Sequence, residues 1–304
     1  MGASRAFFSG FPDNRSHDFT CPPGRFRIRI RTRTRIRIRI RIRIRIRIRI
    51  RIRIRIPHPA TVPGAATSPG AAASGFLGLL MLDTGYPCLP GDIAHPDAFP
   101  AHVPVSRRLV RGAWPQKVLQ SNASLRAARV LPAFVFVVQA MQRDGALAIT
   151  TNCSFLVLLQ KELQAAVKVP VVTSSLMLLP ELLAREGTVG VLAMSAASVG
   201  TGHLRMAGVP RDRLKDVAVQ GVEPRGEFAR VILGNLPQVH VGKAAADLVA
   251  AAMALKQREP SLQSLVLEHP AMSAHRQAIE AATNLKTCAL NDDERLLNPW
   301  RPGI

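Results

Sequence analysis

Two side chains that can transfer protons, the thiol of Cys153 and the imidazole of His269, follow matching stretches of the sequence. The stretch 149–153, which ends at Cys153, recurs at 265–269, which ends at His269, and each is followed by a segment with helical spacing. The two stretches align without a gap, and the apolar positions that follow agree in type. A repeated unit can present one side chain from each copy to opposite faces of a bound molecule. Inversion at a carbon by general acid–base catalysis needs this arrangement.

A second pair of segments repeats earlier in each half. The runs 76–82 and 188–194 are both short, mainly apolar and carry a glycine at the third position, and aligning Gly78 with Gly190 places Asp83 opposite Ser195. The two alignments differ by one small insertion, so the chain is predicted to contain two copies of one strand-turn-helix architecture.

Short continuous apolar runs alternate with helical patterns at 124–144 and 155–167, and a further strand is predicted at 169–173. Such alternation is typical of a parallel sheet covered by helices. We therefore predict an α/β fold of two similar Rossmann-like or flavodoxin-like domains with pseudo-two-fold symmetry. The first domain spans 75–187 and the second spans 188–285. As an alternative to ending in the second domain, the segment from about 286 to 304 returns to the first.

Ligands of parallel sheets bind beyond the carboxyl ends of the strands. Cys153 lies at such an end, where backbone N–H groups and a helix dipole favour a thiolate. It is the first candidate for an acid/base, whereas a buried cysteine that merely packs is the alternative. Small polar neighbours could hold a carboxylate. The predicted substrate-binding residues are Thr84, Thr151, Asn152, Ser154, Thr173, Ser174, Ser195 and Glu268.

His269 is the candidate for a second acid/base, and Glu268 before it could fix its tautomer or raise its pKa. Pro270 follows, which removes one backbone donor from this turn. Asp83 could orient or deprotonate a substrate group, or it could cap a turn. Two glutamates, Glu223 and Glu227, are expected near the opposite rim of the site.

The remaining cysteines and histidines show no spacing that suggests a metal site. Cys88 and Cys288 are predicted to be structural, and no metal is expected. The histidines without mutual ligand spacing are His95, His102, His203, His240 and His275. Dispersed cysteines favour a reducing compartment, and we predict a cytoplasmic protein. The apolar runs are too short for a membrane span.

The net charge of +21 is concentrated in an alternating Arg-Ile run at 25–56. Residues 1–56 hold 18 basic and 2 acidic side chains, which leaves a net charge of +5 for the rest. A translated simple repeat, a polybasic arm for nucleic acid or lipid, and an organelle presequence are the alternatives. The basic run gives no reason to expect nucleic acid at the remaining residues. Segment 1–74, including a Pro, Ala, Gly and Ser-rich linker, is predicted to be disordered.

Deletion of residues 1–73 is therefore expected to leave a protein that melts cooperatively, at a temperature close to that of the full chain. Thermal unfolding followed by circular dichroism checks this result. Loss of cooperative melting in the truncated protein would show that the extension contributes to the fold.

Four stretches resemble proteins of the aspartate/glutamate/hydantoin racemase family: LMLDTGYPCLPGDI at 80–93, AITTNCSF at 148–155, VPVVTSSL at 169–176 and GVLAMSAAS at 190–198. The likeness covers roughly residues 76 to 290. It implies two similar domains with the site in a cleft between them and no cofactor. One cysteine then takes the Cα proton and a second returns one from the opposite face.

Under this resemblance Cys153 corresponds to the first catalytic cysteine and Asp83 to a polar residue that faces it. The second family motif, usually ECTN, reads EHPA at 268–271, so His269 stands in place of the second thiol. The resemblance implies an isomerase acting on an amino acid or related carboxylate, and a homodimer is one alternative. A single-cysteine decarboxylase or isomerase and a catalytically inactive ligand-binding relative are the other functional alternatives.

Overall fold

The computed structural model describes residues 75–111, 113 and 130–301. The Arg-Ile extension, the linker and the start of the helix predicted at 124–144 lie outside these residues. The described residues form two four-stranded sheets that belong to one compact unit beginning at residue 66. None of the described helices is long and apolar enough to cross a membrane.

Each sheet is parallel throughout, and the two sheets share one strand order, β2-β1-β3-β4 and β6-β5-β7-β8. The strands of the first sheet are β1 (Phe76–Met81), β2 (Val105–Leu109), β3 (Ala146–Thr151) and β4 (Val171–Val172). Those of the second are β5 (Val189–Ala193), β6 (Val217–Gly221), β7 (Ser264–Leu267) and β8 (Lys286–Cys288). The predicted α/β class and the internal repeat are confirmed.

Eight α-helices cover the sheets within the described residues. They are α1 (Leu131–Arg143), α2 (Gln160–Ala165), α3 (Leu179–Arg185), α4 (Thr201–Met206), α5 (Glu227–Gly234), α6 (Val241–Arg258), α7 (Arg276–Thr283) and α8 (Glu294–Leu297). The helix predicted at 155–167 begins instead as a 3-10 segment, Ser154–Leu159, before α2. A 3-10 segment, Pro270–His275, also precedes α7 in the second half.

Matching glycines let one helix approach the central strand of each sheet. A Cβ on Gly78 of β1 would lie 2.8 Å from Met141 Sδ of α1. A Cβ on Gly190 of β5 would lie 3.1 Å from Leu255 Cδ2 of α6. The aligned pair found in the sequence therefore has the same packing function in both halves.

The end of the chain contacts both halves. Strand β8 pairs with β7, so residues 286–288 belong to the second sheet. Beyond it, Leu290, Leu296 and Trp300 pack into the same cluster as Leu77 and Leu79 of β1. A return to the first sheet therefore begins after β8, later than the sequence suggested, while the division at 187 stays a prediction.

Candidate active site

The turns after β3 and β7 hold the two candidate acid/bases in equivalent positions. Asn152 N–H donates to Leu80 O at 3.1 Å, and Glu268 N–H donates to Leu192 O at 2.9 Å. Cys153 and His269 then begin the two 3-10 segments with extended backbones. Because the same strand pair positions each residue, the gapless alignment describes a real structural equivalence.

Hydrogen bonds of one serine join the two halves close to these turns. Ser175, which follows β4 of the first sheet, donates its hydroxyl to Leu267 O at 2.7 Å and to Glu268 O at 3.3 Å. It therefore ties the start of a first-half turn to the end of β7. Sequence spacing did not identify Ser175, which was hidden among adjacent serines and threonines.

The Cys153 thiol is buried, with 4% of its surface exposed. Leu156 N–H donates to the backbone oxygen of Cys153 at 3.1 Å, and the backbone N–H groups of Phe155 and Leu156 lower the pKa of the thiol. Burial nevertheless raises the pKa of the thiol to about 12, and the Glu268 carboxyl also raises it. The prediction of a favoured thiolate is wrong, because the cost of removing the charge from water outweighs the effect of the two backbone N–H groups.

His269 is 6% exposed, and burial lowers its pKa to about 4. Its Nδ1 accepts the N–H of Ala271 at 3.2 Å. The imidazole is therefore neutral at pH 7, and its proton lies on Nε2. The expectation that Glu268 fixes the tautomer or raises the pKa of His269 is wrong, since the backbone of Ala271 sets the tautomer and burial dominates the pKa.

Glu268 is the most deeply buried carboxyl of this region, with 1% exposure. Burial raises its pKa to about 7, against the opposing effect of a hydrogen bond from Met194 N–H. Its Oε2 is buried without a hydrogen-bond partner among the described residues, as is Ser154 Oγ in the other turn. These two atoms can accept or donate bonds to a ligand without breaking an existing contact.

Of the side chains predicted to donate hydrogen bonds to a substrate carboxylate, some have a free hydroxyl proton and others are already hydrogen-bonded within the protein. Thr151 Oγ1 accepts the N–H of Cys153 at 3.2 Å, and Ser174 Oγ accepts the N–H of Leu176 at 3.2 Å, so both hydroxyl protons remain available. Asn152 Oδ1 accepts the N–H of Leu82 at 2.8 Å. Thr173 donates to Gln160 Oε1 at 2.6 Å and is therefore committed to the structure.

Other predicted residues lie away from the buried groups. The Ser195 side chain is exposed, because the chain turns outward after β5. Glu223 is exposed and accepts the N–H of Arg225, while Glu227 accepts the N–H of His240 and pairs with Arg230. The two glutamates thus stabilise local surface structure, and their place near the opposite rim of the site stays a prediction.

The segment after β1 brings further residues to the site. Asp83 and Thr84 are half-buried, and the Thr84 side chain hydrogen-bonds Tyr86. Tyr86 is buried with its ring 6.1 Å from that of His269, and burial and the nearby Asp92 and Cys153 raise the pKa of its hydroxyl. Tyr86 was missed, although it is the single tyrosine of the chain and could have been singled out on that ground.

Phe228 of α5 supplies a second aromatic wall. Its ring lies edge-on to His269 at 6.2 Å and to His275 at 6.1 Å. Sequence analysis named the glutamate beside it but not Phe228 itself. The buried groups around Cys153 thus combine proton-transfer groups with aromatic surface.

Metal-binding geometry is not seen in the described part of the chain, where no three His, Cys, Asp or Glu side chains are grouped to hold an ion. The described cysteines Cys88, Cys153 and Cys288 are all free thiols. Burial raises the pKa of Cys88 and of Cys288 to about 11, so neither thiol is activated.

Comparison with known proteins identifies the class. No protein-family profile matches the chain. The structure resembles allantoin racemase from Klebsiella pneumoniae with a TM-score of 0.52 and 10% identity over 74% of this chain and 86% of that one. Glutamate racemase from Bacillus anthracis gives a TM-score of 0.49 and 13% identity, over 74% and 80% of the two chains. The chain therefore has the fold of allantoin racemase.

A curated relative narrows this class. The chain is 31% identical over 216 residues to the dimethylsulfoniopropionate lyase of Durusdinium sp. clade D, covering 69% of each protein. The chain belongs to the family of this lyase. This curated relative is an enzyme, which supports an enzymatic function for the chain.

Proposed function

We propose that the chain is a lyase that removes dimethyl sulfide from dimethylsulfoniopropionate, with Cys153 as the acid/base and no cofactor. The observation that carries the proposal is the asymmetry of the site. The two equivalent turns hold one thiol and one neutral imidazole whose Nδ1 is already occupied, in a chain 31% identical to a lyase of this substrate. Elimination needs one base on one face, whereas racemisation needs two.

The proposed reaction is a β-elimination. The Cys153 thiolate takes a proton from Cα, and the C–H electron pair becomes the double bond between Cα and Cβ. The bond from Cβ to sulfur breaks, and its electron pair stays on sulfur. The products are acrylate and neutral dimethyl sulfide, and Cys153 ends as the protonated thiol. The one proton released per turnover is the thiol proton that leaves to solvent when the substrate binds. The positive charge on the leaving sulfur makes this bond easy to break.

A cationic substrate also lowers the high pKa of the Cys153 thiol when it binds. Burial disfavours the Cys153 thiolate. A positive charge on a nearby substrate favours it. Binding of the sulfonium group therefore supplies the charge that activation requires. The site generates its base only when substrate is present.

Charge that develops on the substrate carboxylate needs hydrogen-bond donors. The hydroxyls of Ser154, Thr151 and Ser174 can supply them in the first-half turns. Asp83 and Thr84 lie on the half-buried segment that leads to Tyr86 and would orient the substrate from that side. Tyr86 and Phe228 offer aromatic faces of the kind that attract methylated cations.

The direct test is incubation of the full chain with dimethylsulfoniopropionate, with acrylate followed by proton NMR and dimethyl sulfide by gas chromatography. Equal formation of both products is expected. Absence of both products at high enzyme concentration would contradict the proposal.

A racemase or epimerase acting on an amino acid or related carboxylate is the second candidate. The equivalence of the Cys153 and His269 turns favours it, since the two groups begin matching segments of the repeat. Here Cys153 would remove the Cα proton and His269 Nε2 would deliver one to the other face. A one-sided decarboxylase would use Cys153 alone.

Replacing His269 by alanine separates these functions. One-base elimination is expected to fall less than about 10-fold, because the imidazole only lines the site, whereas loss of a general acid costs roughly 10² to 10⁴ in rate. The rate of acrylate formation by His269→Ala measures the effect on elimination. Cα exchange with inversion of aspartate, glutamate and hydantoins in deuterated buffer measures the second. A fall in elimination beyond 10²-fold would assign His269 a direct part in the lyase reaction.

A further inference from the structure

The Glu268 carboxyl carries a charge that the fold does not need. In the first half of the repeat, Asn152 Oδ1 accepts the N–H of Leu82 at 2.8 Å and closes the turn. In the second half, the backbone N–H of Met194, the residue equivalent to Leu82, acts on the Glu268 carboxyl and lowers its pKa. One neutral amide oxygen performs this structural task in the first half. The second oxygen of Glu268 is therefore left for another purpose.

The surroundings of that oxygen point to a ligand. Oε2 is buried without a hydrogen-bond partner, and no salt bridge to Glu268 occurs among the described residues. A buried carboxylate without a partner is costly, and it needs either a proton or a cation. Glu268 also lies close enough to Cys153 to act on it electrostatically. A cation beside Glu268 would therefore lie near the thiol as well.

The neighbouring rings suit a cation that has no N–H groups. Glu268 is followed by His269, which is flanked by Tyr86 and Phe228. A sulfonium or quaternary ammonium group cannot donate conventional hydrogen bonds. Such a cation is bound by negative charge, aromatic faces and polarised C–H groups.

We propose that Glu268 is the residue that binds the cationic end of the substrate and makes the site specific for zwitterionic carboxylates. This inference deepens the proposed function and rests on it for the identity of the cation. The carboxylate end then lies toward Ser154, whose free hydroxyl is in the opposite turn. Cα is placed between the two ends, within reach of Cys153.

Two ligands of the same shape test the role of the charge. Dimethylsulfoniopropionate and 4-methylpentanoate share one skeleton, and a neutral C–H group in the second replaces the sulfonium sulfur of the first. Titration calorimetry on the full chain carrying Cys153→Ala measures binding without turnover. The same measurement on Cys153→Ala/Glu268→Gln removes the charge and keeps the acceptor for Met194 N–H.

Glu268→Gln is expected to weaken dimethylsulfoniopropionate about 30-fold, the lower part of the range for a buried charge pair. Binding of 4-methylpentanoate should change less than about 3-fold. Glu181→Gln, which alters an exposed carboxyl on α3, should change neither affinity. Equal loss for both ligands, no loss for either, or failure of Cys153→Ala to bind the sulfonium compound overturns the inference.

The outcome is separable from that of the proposed reaction. Product formation by the unmodified chain tests the lyase alone. If products form while the two ligands respond equally to Glu268→Gln, only the role of Glu268 fails. If no products form while the sulfonium compound depends selectively on Glu268, the cation site stands and the elimination fails.

Discussion

Replacing Cys153 by alanine lowers kcat/KM for acrylate formation by about 10³-fold, within the range that one general base contributes. The thiol is the group near the free hydroxyl of Ser154 that can take a proton from carbon after the substrate cation has lowered its pKa. Alanine keeps the small apolar volume of a buried side chain. Initial rates of acrylate formation, measured by proton NMR at several substrate concentrations, check this result.

Cys288→Ala is the matched control. Cys288 is also a buried thiol with a pKa raised to about 11, but it ends β8 and contributes nothing to the turn after β3. Its replacement should leave kcat/KM within about 3-fold, since only packing changes. If Cys153→Ala keeps more than a tenth of the activity while both variants remain folded, the base must be another residue.

The central strands were predictable because they are buried on both faces. Strands β1 and β5 appear in the sequence as continuous apolar runs, and both ends agree with the predicted runs to within one residue. The edge strand β2 was not predicted. Its sequence, VSRRL, places Arg107 and Arg108 at a partly exposed edge, where no apolar run forms. A half-exposed edge strand is positioned by pairing with β1, which sequence pattern does not reveal.

The site was predictable where the repeat defines it. Cys153, Glu268 and His269 follow strands of equivalent halves, so alignment alone identified the two turns as equivalent. Tyr86 and Phe228 come from segments outside the aligned strands and reach His269 only through tertiary packing. The directions of the pKa shifts were also beyond the sequence, because burial sets them more strongly than neighbouring residue types.

The differences between the two halves explain how a symmetric fold could serve a one-sided reaction. In the alignment of the two halves, Asn152 corresponds to Glu268, and Cys153 corresponds to His269. The first half supplies an acid/base and hydroxyl donors, and the second supplies negative charge and a neutral ring. On our proposal the first turn acts on Cα and the carboxylate, while the second holds the leaving group.

The difference in free energy of unfolding between Glu268→Gln and the wild type is expected to depend on pH. It should favour the variant by about 2 to 3 kcal/mol more at pH 8 than at pH 5. The pKa of Glu268 is raised from 4.5 to about 7 in the folded protein. The unfolded chain therefore releases this proton first as the pH rises. Stability from this group is complete below pH 4.5 and is lost progressively up to about pH 7. Urea unfolding of both proteins at pH 5 and pH 8 measures the difference.

Comparison of two proteins at two pH values isolates the Glu268 carboxyl from the other buried groups. His269 has the opposite linkage, because its lowered pKa makes stability fall as the pH drops from 6.5 toward 4. That contribution is present in both proteins and cancels, as does any fixed cost of the extra amide N–H groups. Glu181→Gln on the surface should show no such pH dependence. If the free energies of unfolding of the wild type and Glu268→Gln differ by the same amount at both pH values, Glu268 is already ionised at pH 5. The protein itself would then stabilise the charge of this carboxyl.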